Sequence, residues 1–302
     1  MKIKEYTVCN LCNRRCGVNR YDSVGFCQMP SDAFITRAAL HRWEEPPISG
    51  SRGSGTIFFS GCSLRCIFCQ NREISRSLAG GCVSVERLVD IMMNLERVGA
   101  HNINFVTPTH YAPTVRLATI GARSRGLKIP IVYNTGSFDT VETIRSLDGT
   151  VNIYLPDLKY YKNSTSKKYS AAELYVETAR LAIQEMYRQV GKPVFDENGI
   201  MLSGVVVRIL LLPGHLAEAK LSLKYLVETY GDGIYISLMN QYTPMHDMPS
   251  PLNRKVTHAE YEELLAYAEK IGLKNGFYQD YGTAEESFIP NFDGTGIVLQ
   301  LY

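Results

Sequence analysis

Short apolar runs rich in β-branched and aromatic residues alternate along this chain with stretches whose apolar positions recur every three or four residues. GTIFF (55–59), INFVT (103–107), PIVYNT (130–135), VNIYLPDL (151–158), VVVRILLL (205–212), IYISLMN (234–240) and NGFYQ (275–279) have the length and composition of strands. Between them, Val85, Leu88, Val89, Met92 and Leu95 share one helical face, and helices are expected over 114–125, 171–189 and 217–230. Asp139, three residues before Glu142, predicts a short helix reaching Leu147. Thr257 with Glu260 has the capping-box spacing that opens a last helix ending at Ile271.

Strands joined through helices run parallel, because a parallel neighbour needs a crossover. VVVRILLL is apolar on both faces, as a parallel strand covered on both sides must be. The pattern therefore predicts an α/β chain of six strand–helix repeats, either curled as a barrel or spread as an open sheet. No G-x-G-x-x-G follows the first strand and no G-x-x-x-x-G-K-[ST] occurs, which removes the usual support for a nucleotide-binding open sheet. In both arrangements chemistry collects where strands end and loops begin. The first strand leads straight into CSLRCIFCQN (62–71).

Composition narrows the setting of that loop. The chain has 302 residues, 45% hydrophobic and 21% charged, enough for one large domain or a main domain with an appendage. A net charge of +2 argues against strong nucleic-acid attraction, while leaving room for a local basic pocket. The start, MKIKEYTVCN, lacks an apolar leader and no run of 18 apolar residues occurs, so the chain reads as cytoplasmic with no membrane partner. In that compartment clustered cysteines are metal ligands rather than disulfides. Seven of the eight fall into two groups, Cys9, Cys12, Cys16 and Cys27, then Cys62, Cys66 and Cys69, while Cys82 stands apart.

Cys62, Cys66 and Cys69 follow a C-x3-C-x2-C spacing. Four-iron clusters take four external ligands, so three thiolates leave one iron open for substrate or cofactor. Zinc completed by a distant residue is the competing reading. The stretch GCSLRCIFCQNRE, with Phe68 before the third cysteine and Asn71-Arg72 after it, resembles the radical S-adenosylmethionine (radical SAM) superfamily. It is most similar to the glycyl-radical activating enzymes, in the longer branch of proteins like pyruvate formate-lyase activating enzyme.

The resemblance implies a partial (β/α)6 TIM-like barrel over 53–241, an N-terminal Cys-rich metal-binding extension over 1–52, and a C-terminal segment over 242–302 that covers the barrel and meets substrate or partner. It implies a [4Fe-4S] cluster on Cys62, Cys66 and Cys69, with SAM on the fourth iron and Phe68 near the adenine. Reductive cleavage would give a 5′-deoxyadenosyl radical that abstracts hydrogen from substrate. An electron donor such as flavodoxin or ferredoxin is the implied partner.

YNTGSF resembles the family's D-T-N-G-F, with Asn134 in place of the aspartate and Thr135 and Phe138 matching. YLPDLK resembles L-D-L-K, so Asp157 and Lys159, alternate on a strand and facing one side, are expected at the SAM carboxylate. Where the family has G-G-E-P, this chain has VTPTHYAP, which offers Thr107, Thr109 and backbone carbonyls but no carboxylate. His110 there is a catalytic candidate or a structural histidine. Arg208, the charged residue of VVVRILLL, needs a buried anion such as Asp157 or the SAM carboxylate. Asn240 or Gln241 stands where the family has a histidine.

Four thiolates close a site, so Cys9, Cys12, Cys16 and Cys27 read as structural or electron-transferring, holding zinc or a second Fe–S cluster. The functions left open are activation of a glycyl-radical enzyme, radical modification of a small molecule, peptide or RNA, and a non-catalytic zinc or nucleic-acid-binding module.

Overall fold

The computed structural model describes residues 2–245, 247–279 and 290–297. Among the described residues ten strands form one sheet system: β1 (Ala33–His41), β2 (Ser54–Phe59), β3 (Gly81–Val83), β4 (Ile103–Val106), β5 (Ile131–Thr135), β6 (Ile153–Pro156), β7 (Val194–Phe195), β8 (Met201–Leu210), β9 (Tyr235–Met239) and β10 (Gly276–Tyr278). Their spatial order is β10-β9-β8-β6-β5-β4-β2-β1-β3, with β7 beside β8. From β2 to β10 every neighbouring pair on that path is parallel. The seven strands expected from the sequence are all present, six as the parallel wall of a partial barrel and β10 as a seventh stave.

Nine α-helices accompany the strands among the described residues. They are α1 (Pro46–Ser49), α2 (Arg72–Ser75), α3 (Val85–Arg97), α4 (Ala112–Ser124), α5 (Val141–Arg145), α6 (Asn163–Ser170), α7 (Tyr175–Val190), α8 (Leu216–Tyr230) and α9 (His258–Lys270). The Thr257–Glu260 capping box opens α9 as expected. Two expectations shift. Asp139 is not the cap of α5; Thr140 is, because its hydroxyl reaches the Thr143 N–H while Asp139 is turned inward. The helix expected over 171–189 begins at Tyr175, since Ala171 and Leu174 adopt left-handed backbone and separate it from α6.

Alternation along the strands divides the interior in two. Val205, Val207 and Ile209 of β8 point outward into the large core under the helices, whereas Val206 points inward to meet Val132, Ile153 and Leu155. The apolar character of VVVRILLL on both faces has this cause. Ile48 of α1 belongs to the inward cluster. The chain between β1 and β2 thus re-enters the barrel and plugs the lumen from below.

The N-terminal extension is joined to the barrel across the 52/53 boundary, because β1 pairs antiparallel with β2 over its length. The cysteine knuckle is tied on by Asn13 N–H to the Phe138 carbonyl at 3.0 Å and Thr140 N–H to the Leu11 carbonyl at 3.2 Å. Arg20, 1% exposed, donates to the carbonyls of Met29, Pro30 and His110, with the Tyr6 and Tyr111 rings on its faces. A guanidinium buried this deeply is tolerated because its N–H groups meet carbonyl oxygens.

Candidate active site

The loops after β2, β4, β5 and β6 open on one cavity of about 540 Å³ at the C-terminal ends of the strands. Cys62, Cys66 and Cys69 line it, together with Phe68, Thr107, Asn134, Thr135, Asp157, Lys159, Arg208 and Gln241. Strained backbone marks the same loops: Arg65, Thr107 and Ser137 all have φ near +60°, uncommon for non-glycine residues and outlying for a β-branched threonine.

The three thiols are held from several sides. The Ser170 hydroxyl donates to Cys66 Sγ at 2.9 Å, the Ser75 hydroxyl lies 3.5 Å from Cys69 Sγ, and the Leu64 N–H lies 3.4 Å from Cys62 Sγ. Burial, reinforced by the neighbouring Cys66 and Cys69, pushes the Cys62 thiol up to about 12. Thiolates so placed need a cationic partner, and their hydrogen-bond donors suit sulfur that carries charge. That donor set fits an iron–sulfur group. Among the described residues no three His, Cys, Asp or Glu side chains converge as a single-ion site.

The same cavity holds a charge network that the strand register builds. Lys159 Nζ donates to Asp157 Oδ2 at 2.5 Å, and Arg208 Nε donates to Asp157 Oδ1 at 2.8 Å. Arg208 Nη2 donates to Asn134 Oδ1 at 2.6 Å. Burial alone would raise the Asp157 carboxyl, but the Arg208 guanidinium and Lys159 ammonium overturn this and hold it below the usual range. Burial likewise opposes the Lys159 charge, and Asp157, with Cys66 behind it, restores it. The Tyr175 hydroxyl holds the turn, within hydrogen-bond reach of the Lys159 N–H and the Asp157 carbonyl.

The remaining residues read from the sequence divide. Phe68 is edge-on to Tyr160 and Tyr242, each at 6.3 Å, and presents to the cavity. Gln241, not Asn240, is on the wall; its carbonyl accepts from Gln70 and its side chain from Gln279. Thr109 is off the wall, 3% exposed, its hydroxyl 3.1 Å from that of Thr135. The Thr135 hydroxyl in turn donates to Asp139, a carboxylate that also accepts from Tyr133.

His110 does not reach the cavity. Its Nε2 lies 2.7 Å from the Ser60 carbonyl and its ring is 1% exposed, which assigns it to structure. Burial, with Arg20 adding, lowers its pKa to about 3 from the ordinary 6.5. Above pH 6.5 the ring is neutral in both states. Below that, the unfolded chain takes a proton that the folded chain refuses until near pH 3, so stability falls on acidification by up to about 1.4 kcal/mol per pH unit. His110→Gln is expected to remove one proton from the slope of urea-unfolding stability between pH ~6.5 and ~4.5; an unchanged slope would contradict the buried neutral ring.

Glu44 and Glu45, which the sequence reading missed, also line the cavity. Glu44 accepts from Asn104 Nδ2 at 2.9 Å and approaches Arg208 Nη1 at 3.5 Å. Burial raises both carboxyls, and Arg208 works against it. The stretch RWEEPP has no strand or helix period, and only the double proline hinted at a fixed turn.

The four N-terminal thiols act on one another electrostatically, though as placed they do not converge on a single ion. Burial pushes Cys12 up to about 12, with Cys27, Cys9 and Cys16 adding to the rise. Arg14 lies between the two cysteine groups: it donates to the carbonyls of Ser63, at 2.9 Å, and Ser170, at 3.1 Å, and it feels Cys12, Cys16 and Cys62 electrostatically.

Over residues 56–221, more than half of the chain, the sequence matches the Radical SAM superfamily family. It is 28% identical over 278 residues to Uncharacterized protein MJ0674 of Methanocaldococcus jannaschii, covering 88% of this chain and 75% of that one. Its fold is similar to Streptococcus suis SuiB bound to S-adenosylmethionine, at TM-score 0.51 and 14% identity over 74% of this chain and 49% of that structure. It is also similar to HydG, a maturase of the [FeFe]-hydrogenase, at TM-score 0.52 and 14% identity over 82% and 57%. The chain thus spans about half the length of these solved structures.

Proposed function

The chain belongs to the radical SAM superfamily, and from that premise we propose that it cleaves SAM reductively in this cavity to abstract hydrogen from a substrate lodged in the lumen beneath. Cys62, Cys66 and Cys69 would hold a [4Fe-4S] cluster, which would supply the electron for reductive cleavage of SAM. The observation that carries the reading is that three thiols and the Asp157–Lys159–Arg208 network line one cavity, near enough for Lys159 to act on Cys66 and Cys69.

In this reading each residue has a physical task. Lys159, beside Asp157, gives the SAM carboxylate a cation already desolvated and oriented. Phe68 offers its face to the adenine. Gln241 and the strained Thr107 carbonyl give neutral acceptors on the wall. The plug carrying Ile48 closes the lumen below, which keeps bulk water from a radical. The N-terminal thiols we read as a zinc site or a second cluster that fixes the extension, through Arg14, against the Cys62–Cys69 loop. A flavodoxin or ferredoxin is the class of reductant such chemistry takes. Activation of a glycyl-radical enzyme and radical modification of a small molecule share all of this machinery, and they differ in what enters the mouth.

The test is anaerobic reconstitution with iron and sulfide, then SAM and dithionite. Methionine and 5′-deoxyadenosine are expected in equal amounts from a brown protein. A colourless, zinc-loaded protein that leaves SAM intact would overturn the reading.

A further inference from the structure

We propose that Glu45 is the anchor for a cationic nitrogen of the substrate, a protonated amine or guanidine, in the lumen below the cysteine loop; this rests on the radical SAM reading for the cavity it shares. Glu45 lines the cavity and is 8% exposed, and its Oε2 has no hydrogen-bond partner. A buried carboxylate oxygen left bare costs free energy that a protein recovers only when something donates to it. Among the described residues no side chain hydrogen-bonds this oxygen. Lys159 directs its ammonium at Asp157, and Arg208 divides its guanidinium among Asp157, Asn134 and Glu44. Burial raises the Glu45 carboxyl, against Arg208 acting across space and a hydrogen bond from Ser237, and among the described residues no ion pair reaches it.

Depth separates this subsite from the one expected to take SAM. Glu44 touches Asn104, Asn134 and Arg208, and Glu45 is set by Ser237 and Arg208. Each of these barrel residues is an inward position before the last residue of its strand, in β4, β5, β8 and β9. Cys62, Thr107, Gly136 and Lys159 lie beyond the strand ends. Glu45 therefore sits deeper, where a molecule under SAM would place its far end. The plug builds the subsite, because the same turn that buries Ile48 among Val132 and Ile153 carries Glu45 to the cavity. Arg42, Arg65, Lys159 and Arg208 all line the cavity, yet among the described residues no ion pair reaches Glu45, which leaves its bare oxygen open to a positive occupant.

The probes are n-butylamine and agmatine, with n-butanol as the neutral isostere, titrated into the reconstituted full chain with SAM present and followed by thermal melting. Both amines are expected to raise Tm with concentration and butanol to leave it unchanged. Glu45→Gln should weaken the amines about thirtyfold or more, as removal of one partner of a buried charge pair does, and Glu45→Asp should fall between. Without any amine, Glu45→Gln should melt above wild type as pH rises, because it removes the cost of ionising a buried, unpaired carboxyl. Equal response to butanol and amine, or wild-type amine binding by both folded variants, overturns the proposal. So does a Glu45→Gln protein that loses SAM affinity while holding amines as before, since the carboxylate would then serve SAM. If amines and butanol separate as expected but SAM is never cleaved, the cation subsite stands and the radical SAM function falls.

Discussion

Replacing Cys66 with alanine is expected to reduce 5′-deoxyadenosine formation to the level seen without enzyme, while the protein remains folded. The loop that carries Cys66 is shaped by groups other than its sulfur. Arg76 donates to the carbonyls of Arg65 and Cys66, Arg14 clamps Ser63 and Leu64, and the Ile67 N–H meets the Tyr169 carbonyl. Loss of one thiol therefore removes a small buried volume and one hydrogen bond from Ser170, at a cost of about 1–2 kcal/mol. The chemistry suffers far more, because two thiolates leave a second iron without its protein ligand. Iron content, absorbance and product released under dithionite are the measurements, with a melt to verify the fold. Product within about tenfold of wild type, from a folded Cys66→Ala protein, would remove Cys66 from the cluster and the family chemistry from this cavity.

Much of this site is legible in the sequence because its residues sit at the ends of strands whose spacing is regular. Asp157 and Lys159 alternate around Leu158, and a period of two puts them on one face wherever the strand lies. Arg208 stands out as a charge in an apolar run, and Asp157, one of the two anions expected for it, lies at 2.8 Å. The three-cysteine spacing needed no fold at all. What stayed hidden depends on contacts distant in sequence.

Glu44 and Glu45 belong to a turn without periodicity, and only the re-entry of α1 into the lumen gives them meaning. The antiparallel strand β1 lay within the cysteine-rich extension, where metal ligands drew the reading away from AFITRAALH. Asp139 had the right spacing to cap a helix, but Tyr133 and Thr135, inside the barrel, compete for its carboxylate and win. His110 looked available in VTPTHYAP, and the fold turned it toward Ser60 instead.

The second large effect is expected at Asp157, where one carboxylate neutralises two buried cations. Lys159 and Arg208 have side-chain exposures of 19% and 15%, and each places a hydrogen on a different oxygen of Asp157. Asp157→Ala removes both contacts at once and leaves an ammonium and a guanidinium facing each other in a desolvated pocket. Arg208 retains Asn134 and a longer contact to Glu44, while Lys159 retains no carboxylate within salt-bridge reach among the described residues. The expected loss is about 3–5 kcal/mol of folding stability, the usual consequence of breaking a buried pair from one side.

Since Arg208 and Lys159 hold the Asp157 carboxyl below its ordinary range, its contribution is complete above that range. It fades as pH falls from the unfolded value toward the folded one, so wild type and Asp157→Ala should converge in strong acid. A double-mutant cycle separates pairing from packing. Arg208→Met in the Asp157→Ala background should recover part of the loss, because it withdraws one of the stranded charges and puts an apolar side chain of similar length over Leu155 and Val206. Urea unfolding of the four proteins at neutral pH decides the matter. If Asp157→Ala costs less than about 1 kcal/mol, the network behaves as a solvated surface pair, and Lys159 loses the fixed, dry position from which it was to hold an anionic cofactor.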